Sequence, residues 1–380
     1  MRAMPIVSKR LMASLISCAL LAGCSNAPEA AKPDQPVYAR YADDAAVSQQ
    51  ALIDAVAPFF EAEELGETRA LVIMHGGLIV AERYAPGYGP DSRLVSWSMA
   101  KSVTATLAGF MVADGLLVLD DPVPVSEWAN AGDARNRITL RQLLHMSSGI
   151  DHTELAEEDT AIYEADTTRM LFLDGRENVA RYAEGRMLEA PPGSKFEYSS
   201  ATSNIIADVM TRTLTDSRNP QIRRDAMLEY ARGRLFEPLG MTSAVPQFDR
   251  NGTMIGGSLI HATARDWAKF GEFLRNNGSV RGAQLLPTNW LRFMKTPSTK
   301  NAAYGAHIWL NREPGAGREA PLFPDKAPSD VFAALGHLGQ YIVVSPQHKL
   351  TVVRLGKTQD EALGPVEDQI ARVIGLFPLR

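Results

Sequence analysis

Two strand pairs at opposite ends of the chain constrain its fold more than any other feature. Near the N-terminal end, Leu71-Val72-Ile73-Met74 and the run from Leu78 to Tyr84 flank His75-Gly76-Gly77. A tight glycine turn between two apolar runs predicts an antiparallel hairpin. Toward the C-terminus, residues 340–344 and 350–355 flank Ser345-Pro346-Gln347-His348-Lys349. A parallel crossover needs more chain than that connection supplies, so this pair is antiparallel as well. Residues 305–310 and 331–335 add two further strands.

Between these ends the pattern changes. Gly, Pro and charged residues separate short helical stretches such as 139–145 and 204–214, and helices are expected to dominate from about 116 to 239. Residues 51–60 have helical spacing with acidic residues beyond. Residues 365–376 read as a closing amphipathic helix with Pro365 at its first position. The fold class is therefore α/β (α+β): an antiparallel sheet built from both ends of the chain, flanked by helices, with a mainly helical insertion over about 116–250. A cleft is expected where the two parts meet.

The first residues read differently. Lys9-Arg10 precedes an apolar run over residues 11–22, too short to span a bilayer but suited to a signal-peptide core. The run closes on Leu21-Ala22-Gly23-Cys24 and resembles a bacterial lipoprotein cleavage site. That resemblance implies a signal peptide over 1–23, lipidation of Cys24 and membrane attachment through the lipid. A tether rich in Ala, Pro, Asp and Glu over 24–47 then leads to a domain over 48–380. The implied location is the cell envelope facing the periplasm, with Ser25 similar to residues that permit sorting to the outer membrane.

Cys18 would leave with the signal, so Cys24 would be the one mature cysteine, and neither an intrachain disulfide nor a multi-thiolate metal site is available. Stability must come from an apolar core, which 380 residues at 45% apolar content allow. Removing Arg2, Lys9 and Arg10 makes the formal charge of −5 more negative by three. That acidity argues against nucleic acid as a partner.

Chemistry enters at Ser98-Met99-Ala100-Lys101. A residue and its i+3 neighbour share a helix face, and a lysine held neutral by burial can take a serine proton without histidine. Apolar residues at Val103, Leu107, Phe110 and Met111 continue a helix to Asp114-Gly115. Ser98 then lies at its N-terminal turn, where free N–H groups favour an anionic oxygen. Alone, Ser-x-x-Lys arises by chance, with a capping serine and a solvated lysine as the plain alternative.

Two further stretches follow in order, Tyr198-Ser199-Ser200 after Pro191-Pro192-Gly193, and Gly336-His337-Leu338-Gly339-Gln340. Together with Ser98-x-x-Lys101, and with the flanks Leu143-Leu144-His145-Met146-Ser147-Ser148-Gly149 and Phe236-Glu237-Pro238-Leu239-Gly240-Met241, they resemble the serine β-lactamase and penicillin-binding-protein superfamily. The resemblance is to its class C-related branch of esterases and 6-aminohexanoate-oligomer hydrolases, and it extends over nearly everything from residue 50 onward. It implies a β-lactamase/transpeptidase-like fold. It makes Ser98 the nucleophile, Lys101 its proton acceptor or electrostatic partner, and Tyr198 a second proton-transfer group sharing one proton with Lys101. The N–H groups of Ser98 and Gln340 would form the oxyanion hole, with Ser200, His337 and Gly339 on the substrate side.

Two departures bear on substrate. Ser200 stands where the family usually has asparagine, and His337 stands where penicillin-hydrolysing members have lysine. An imidazole lacks the fixed charge of lysine, which favours esters or amides of less anionic substrates over penicillins. Asn204, one helical turn beyond Ser200, reads as a packing residue. Trp97, Tyr163, Trp267, Tyr304 and Trp309 are cleft candidates for which core packing is the default.

No cofactor is implied: Gly-x-Ser-x-Gly, His-Glu-x-x-His, the P-loop and Gly-x-Gly-x-x-Gly are all absent from the sequence. The expected partner is a small-molecule ester or amide. β-Lactamase or D-Ala-D-Ala carboxypeptidase activity, and a non-catalytic envelope sensor that keeps the fold, remain the alternatives.

Overall fold

The computed structural model describes residues 37–379 apart from 44, 45, 131, 157–159 and 316–321. The expected signal peptide over 1–23 and Cys24 lie outside the described residues. The strands are β1 (Ala39–Tyr41), β2 (Glu67–His75), β3 (Leu78–Tyr84), β4 (Leu94–Val95), β5 (Val245–Pro246), β6 (Ile260–Ala262), β7 (Ser279–Val280), β8 (Ala283–Gln284), β9 (Trp309–Leu310), β10 (Phe332–Gly336), β11 (Gln340–Ser345) and β12 (Leu350–Lys357). Seven form the main sheet in the order β1-β3-β2-β12-β11-β10-β9, antiparallel throughout.

The β12–β2 pair joins the two ends of the chain, with Val352 opposite Ile73 and Val353 opposite Val72. Both hairpins therefore form as the turn lengths require. The strand expected over 305–310 shrinks to Trp309–Leu310, because Gly305 and Ala306 bond instead to Ile308 and Met294. Within the segment assigned to the tether, Ala39–Tyr41 adds to the free edge of β3. Composition hides this strand, because backbone pairing makes little demand on side-chain type.

Both faces of the sheet are covered. Leu71 and Ile73 of β2 pack with Leu52, Phe59, Val366 and Ile370, while Val72 and Met74 pack on the other side with Val103, Leu107 and Phe270. This alternation follows from the period of two along a strand. The first set comes from helices Gln49–Val56, Pro58–Glu61 and Leu363–Leu376, the second from Ala100–Ala113 and Ala264–Arg275. The closing helix starts at Leu363, which moves Pro365 to its third residue, where its missing N–H is still harmless.

The middle of the chain is mainly helical, as expected. Thr139 caps Leu140–Leu144 in a capping box with Gln142, and Ser200–Leu214 is a fifteen-residue helix buried through Thr211. The Ala100–Ala113 helix is buried on nearly all sides, as a helix in the centre of a domain must be. Gly109 permits this: a Cβ there would lie 2.2 Å from Trp290 Nε1, whose N–H donates to Ala105 O at 3.1 Å.

Candidate active site

Ser98 sits on a 3-10 turn, Trp97–Met99, that runs directly into the Ala100–Ala113 helix. Trp97 holds φ at +44°, a conformation that costs a bulky residue about 1–3 kcal/mol and persists only where its surroundings fix it. Ser96 supplies that restraint. Its hydroxyl donates to Ser258 O at 2.6 Å and accepts from the Ile260 N–H at 3.1 Å, while β4 pairs with β6 just upstream. On the other side, a Cβ at Gly336 would come within 2.2 Å of Ser96 O. The end of β10 can approach the nucleophile turn only because residue 336 is glycine.

Lys101 is 1% exposed. Its Nζ makes three hydrogen bonds, to Ser98 Oγ at 2.9 Å, Ser200 Oγ at 2.8 Å and Gly257 O at 2.9 Å. Burial lowers its pKa to about 8 against the opposing pull of Glu154. A neutral amine is thus accessible near physiological pH, within hydrogen-bond reach of the serine it would deprotonate.

Tyr198 completes the group. Its ring lies 4.8 Å from Lys101 Nζ, and nearby Ser98 acts to lower the phenol's pKa against its burial. Trp309 stacks on that ring at 5.4 Å and Tyr304 meets it edge-on at 5.9 Å. Burial, and after it the charge of Glu154, push the phenol far above its ordinary pKa. Burial thus favours the neutral phenol of Tyr198, as it favours the neutral amine of Lys101.

Comparison with known proteins places the fold in a family. The match to the Beta-lactamase family runs over residues 63–375. The chain belongs to that family. It is 24% identical over 240 residues to a 6-aminohexanoate-dimer hydrolase from Paenarthrobacter ureafaciens, covering 62% of this chain and 59% of that protein. The chain thus spans about three fifths of that relative's length. A penicillin-binding protein homologue from Caulobacter crescentus shares the fold with a TM-score of 0.63 at 18% identity, over 90% of this chain and 98% of that one. A family VIII carboxylesterase does so with a TM-score of 0.62 at 15% identity, over 90% and 99%.

Within this Beta-lactamase-family chain, Ser200 and Gly339, expected on the substrate side, and the side chain of Gln340, expected to offer its backbone N–H to the oxyanion, are tied into the protein itself. Ser200 is 1% exposed, and its hydroxyl is spent inside the protein, accepting from Lys101 and donating to Glu154 Oε1 at 2.7 Å. A hydroxyl has one proton, so none is left for a substrate amide. Gly339 has φ +73°, and a Cβ there would lie 2.6 Å from Arg354 Nη1. Buried Arg354, which donates to Gly339 O at 2.7 Å, crowds this position. Gln340 folds its side chain back, donating to His337 O, Leu338 O and Gly356 O and accepting from the Gly356 N–H. That side chain braces the turn from behind, while Gly336 lies against the nucleophile turn.

His337 is exposed and meets Trp97 edge-on at 5.6 Å between ring centroids, which puts it at the mouth of the site. Asn204 is fully buried, accepting from the Gly257 N–H at 3.3 Å, a packing role as expected. Trp267 is core and Tyr163 is largely exposed.

Sequence reasoning missed Glu154 and Gly257. Glu154 lies 46 residues before Ser200, in a loop without periodicity, and only folding brings it beside Lys101. Its Oε1 is 3.8 Å from Lys101 Nζ. Its Oε2 accepts from the Ser200 N–H at 2.6 Å and from Thr167 Oγ1 at 3.0 Å, with His152 Nε2 at 3.2 Å. Burial raises its pKa, but Lys101, His152 and Ser200 outweigh that and bring it to about 2.

Proposed function

We propose that this protein is a serine hydrolase that cleaves a carboxylic ester or amide through an acyl-enzyme on Ser98. The observation that carries the reading is the 2.9 Å contact between Ser98 Oγ and the Nζ of a buried lysine whose pKa lies at about 8. Neutral Lys101 takes the Ser98 proton as Oγ bonds to the acyl carbon. The lysine proton then passes to the departing oxygen or nitrogen, with the neutral Tyr198 phenol donating at the same face. Water enters by the reverse sequence, giving up its proton to Lys101 and releasing the acid.

The developing oxyanion takes the backbone N–H groups of Ser98 and Gln340, the latter at the start of β11 and braced by its own side chain on Gly356. Each such donor contributes about 3 kcal/mol. The 6-aminohexanoate-dimer hydrolase and carboxylesterase likenesses support ester and amide substrates. The lack of lysine or arginine in His337-Leu338-Gly339 favours substrates without a carboxylate at that position. Attachment to the envelope through lipidated Cys24 belongs to the same reading and rests on the sequence; Cys24→Ser then releases the protein from membranes.

A fluorophosphonate probe followed by mass spectrometry tests the core of it. Label on Ser98 that disappears in Ser98→Ala supports acyl transfer. Absence of label together with no turnover of p-nitrophenyl esters refutes it.

A further inference from the structure

Glu154 is a largely buried carboxylate, its side chain 19% exposed, to which acyl transfer by Ser98 and Lys101 assigns no task. Its surroundings give it one, on the premise that Lys101 is the base for Ser98. An ammonium has three N–H donors, and Lys101 faces three oxygens, those of Ser98, Ser200 and Gly257. A neutral amine has two N–H groups and one lone pair. Which of the three oxygens faces the lone pair decides whether Lys101 can act as a base.

Two of them are excluded by their own bonding. Gly257 O is a carbonyl and can only accept. Ser200 has a proton, but its hydroxyl donates to Glu154 Oε1 at 2.7 Å, and a carboxylate can only accept. Ser200 therefore presents lone pairs to Lys101 and consumes an N–H. Glu154 cannot rotate out of this arrangement, because Oε2 is held by the Ser200 N–H, Thr167 Oγ1 and His152 Nε2. The one oxygen with a proton still to give is Ser98.

We propose that Glu154 is a positioning residue which, through the Ser200 hydroxyl, orients the Lys101 lone pair toward Ser98 and then stabilises the ammonium formed. In that step the Ser98 O–H bond breaks, an N–H bond forms on Lys101, and the Oγ electron pair forms the bond to the acyl carbon. The new positive charge lies 3.8 Å from Glu154 Oε1. Ser200 thus does not substitute for a substrate-binding asparagine; with Glu154 it forms an internal device. The titratable groups around the pair are Tyr198 with Tyr304 behind it, His307, whose Nδ1 is 3.1 Å from Lys101 O, and His152 beyond Glu154.

Glu154→Gln and Ser200→Ala separate the two effects. In Glu154→Gln the amide oxygen is taken by the Ser200 N–H and the NH2 faces Ser200 Oγ. The Ser200 proton then turns to Lys101 and competes for the lone pair. Measured on a p-nitrophenyl ester from pH 6 to 10, the high-pH plateau of kcat/KM falls about tenfold or more, at the low end of proton-transfer effects or below. Loss of the neighbouring negative charge also moves the acid limb to lower pH, since that charge favours the protonated lysine. Ser200→Ala lowers the plateau similarly but leaves the limb in place.

A wild-type plateau in either variant, or an unmoved limb in Glu154→Gln, overturns the proposal. If Glu154→Gln does not fold, the Ser200→Ala plateau alone decides. Fluorophosphonate labelling of the wild type separates this from the underlying reading: an unlabelled Ser98 refutes both. A labelled Ser98 with unchanged variant profiles refutes only the role of Glu154.

Discussion

The Ser200–Leu214 helix serves two buried charge clusters, one at its N-terminal end and one past its middle, and they differ in chemistry. At its N-terminal end Ser200 links Lys101 to Glu154. Two turns further on, Asp208 meets Arg223 Nη2 at 2.5 Å and Thr253 Oγ1 at 2.9 Å, and also bonds Arg212, which reaches Glu184 at 3.1 Å. Both clusters are deep, but their cations differ. A guanidinium keeps its charge under all working conditions, so the Asp208 cluster is a permanent tie between helices. An ammonium in the same kind of environment loses its proton readily, and Lys101 is held at about 8. The choice between lysine and arginine separates a group that can exchange its proton near neutral pH from a permanent charge.

Lys101→Arg is the harshest way to break this comparison. The guanidinium cannot give up a proton, so turnover of p-nitrophenyl esters falls by about 10²–10⁴, the range of a lost general base, even where circular dichroism shows the fold retained. Asp208→Asn attacks the other cluster and leaves two arginines without their shared counter-charge. Urea denaturation shows a loss of about 3 kcal/mol, while the rate per folded molecule stays at the wild-type value.

The pH dependence sharpens the contrast further. For the wild type, kcat/KM rises with pH and is half-maximal near the Lys101 value of about 8, because the neutral amine is the active form; a flat profile from pH 6 to 10 would remove Lys101 from the role of base. The smallest effect is expected at Glu184, whose pKa is raised to about 9 by burial and by Asp208. A carboxyl raised in the folded state binds its proton there after the unfolded chain has lost it, so its contribution to stability declines as pH rises between about 4.5 and 9. Glu184→Gln removes that decline. Its unfolding free energy relative to wild type becomes larger, that is, the variant becomes relatively more stable, from pH 5 to pH 9.

Much of this molecule is legible in its sequence. The two hairpins follow from turn length and from apolar runs that have only one compact pairing. Ser98 and Lys101 lie three residues apart, so their juxtaposition is a local property of one helical turn and survives folding unchanged. Tyr198 is found through its motif, but its protonation state is not, because the burial that raises its pKa comes from Trp309 and Tyr304, more than 100 residues away along the chain. Gln340 is likewise found by motif position. The anchoring of its side chain on Gly356 is invisible there, since that partner comes from the next strand of the sheet.

Glu154 marks the boundary between the two kinds of knowledge. Residues near one another, or a repeating period, are enough to specify the antiparallel sheet, the helical middle and the Ser98–Lys101 contact, and all of these can be read along the chain. The hydrogen-bond directions around Lys101, the raised pKa of Tyr198 and the internal commitment of Ser200 are set only when the chain has folded. They depend on desolvation and on charges that arrive from distant segments, and neither leaves a local mark on the sequence.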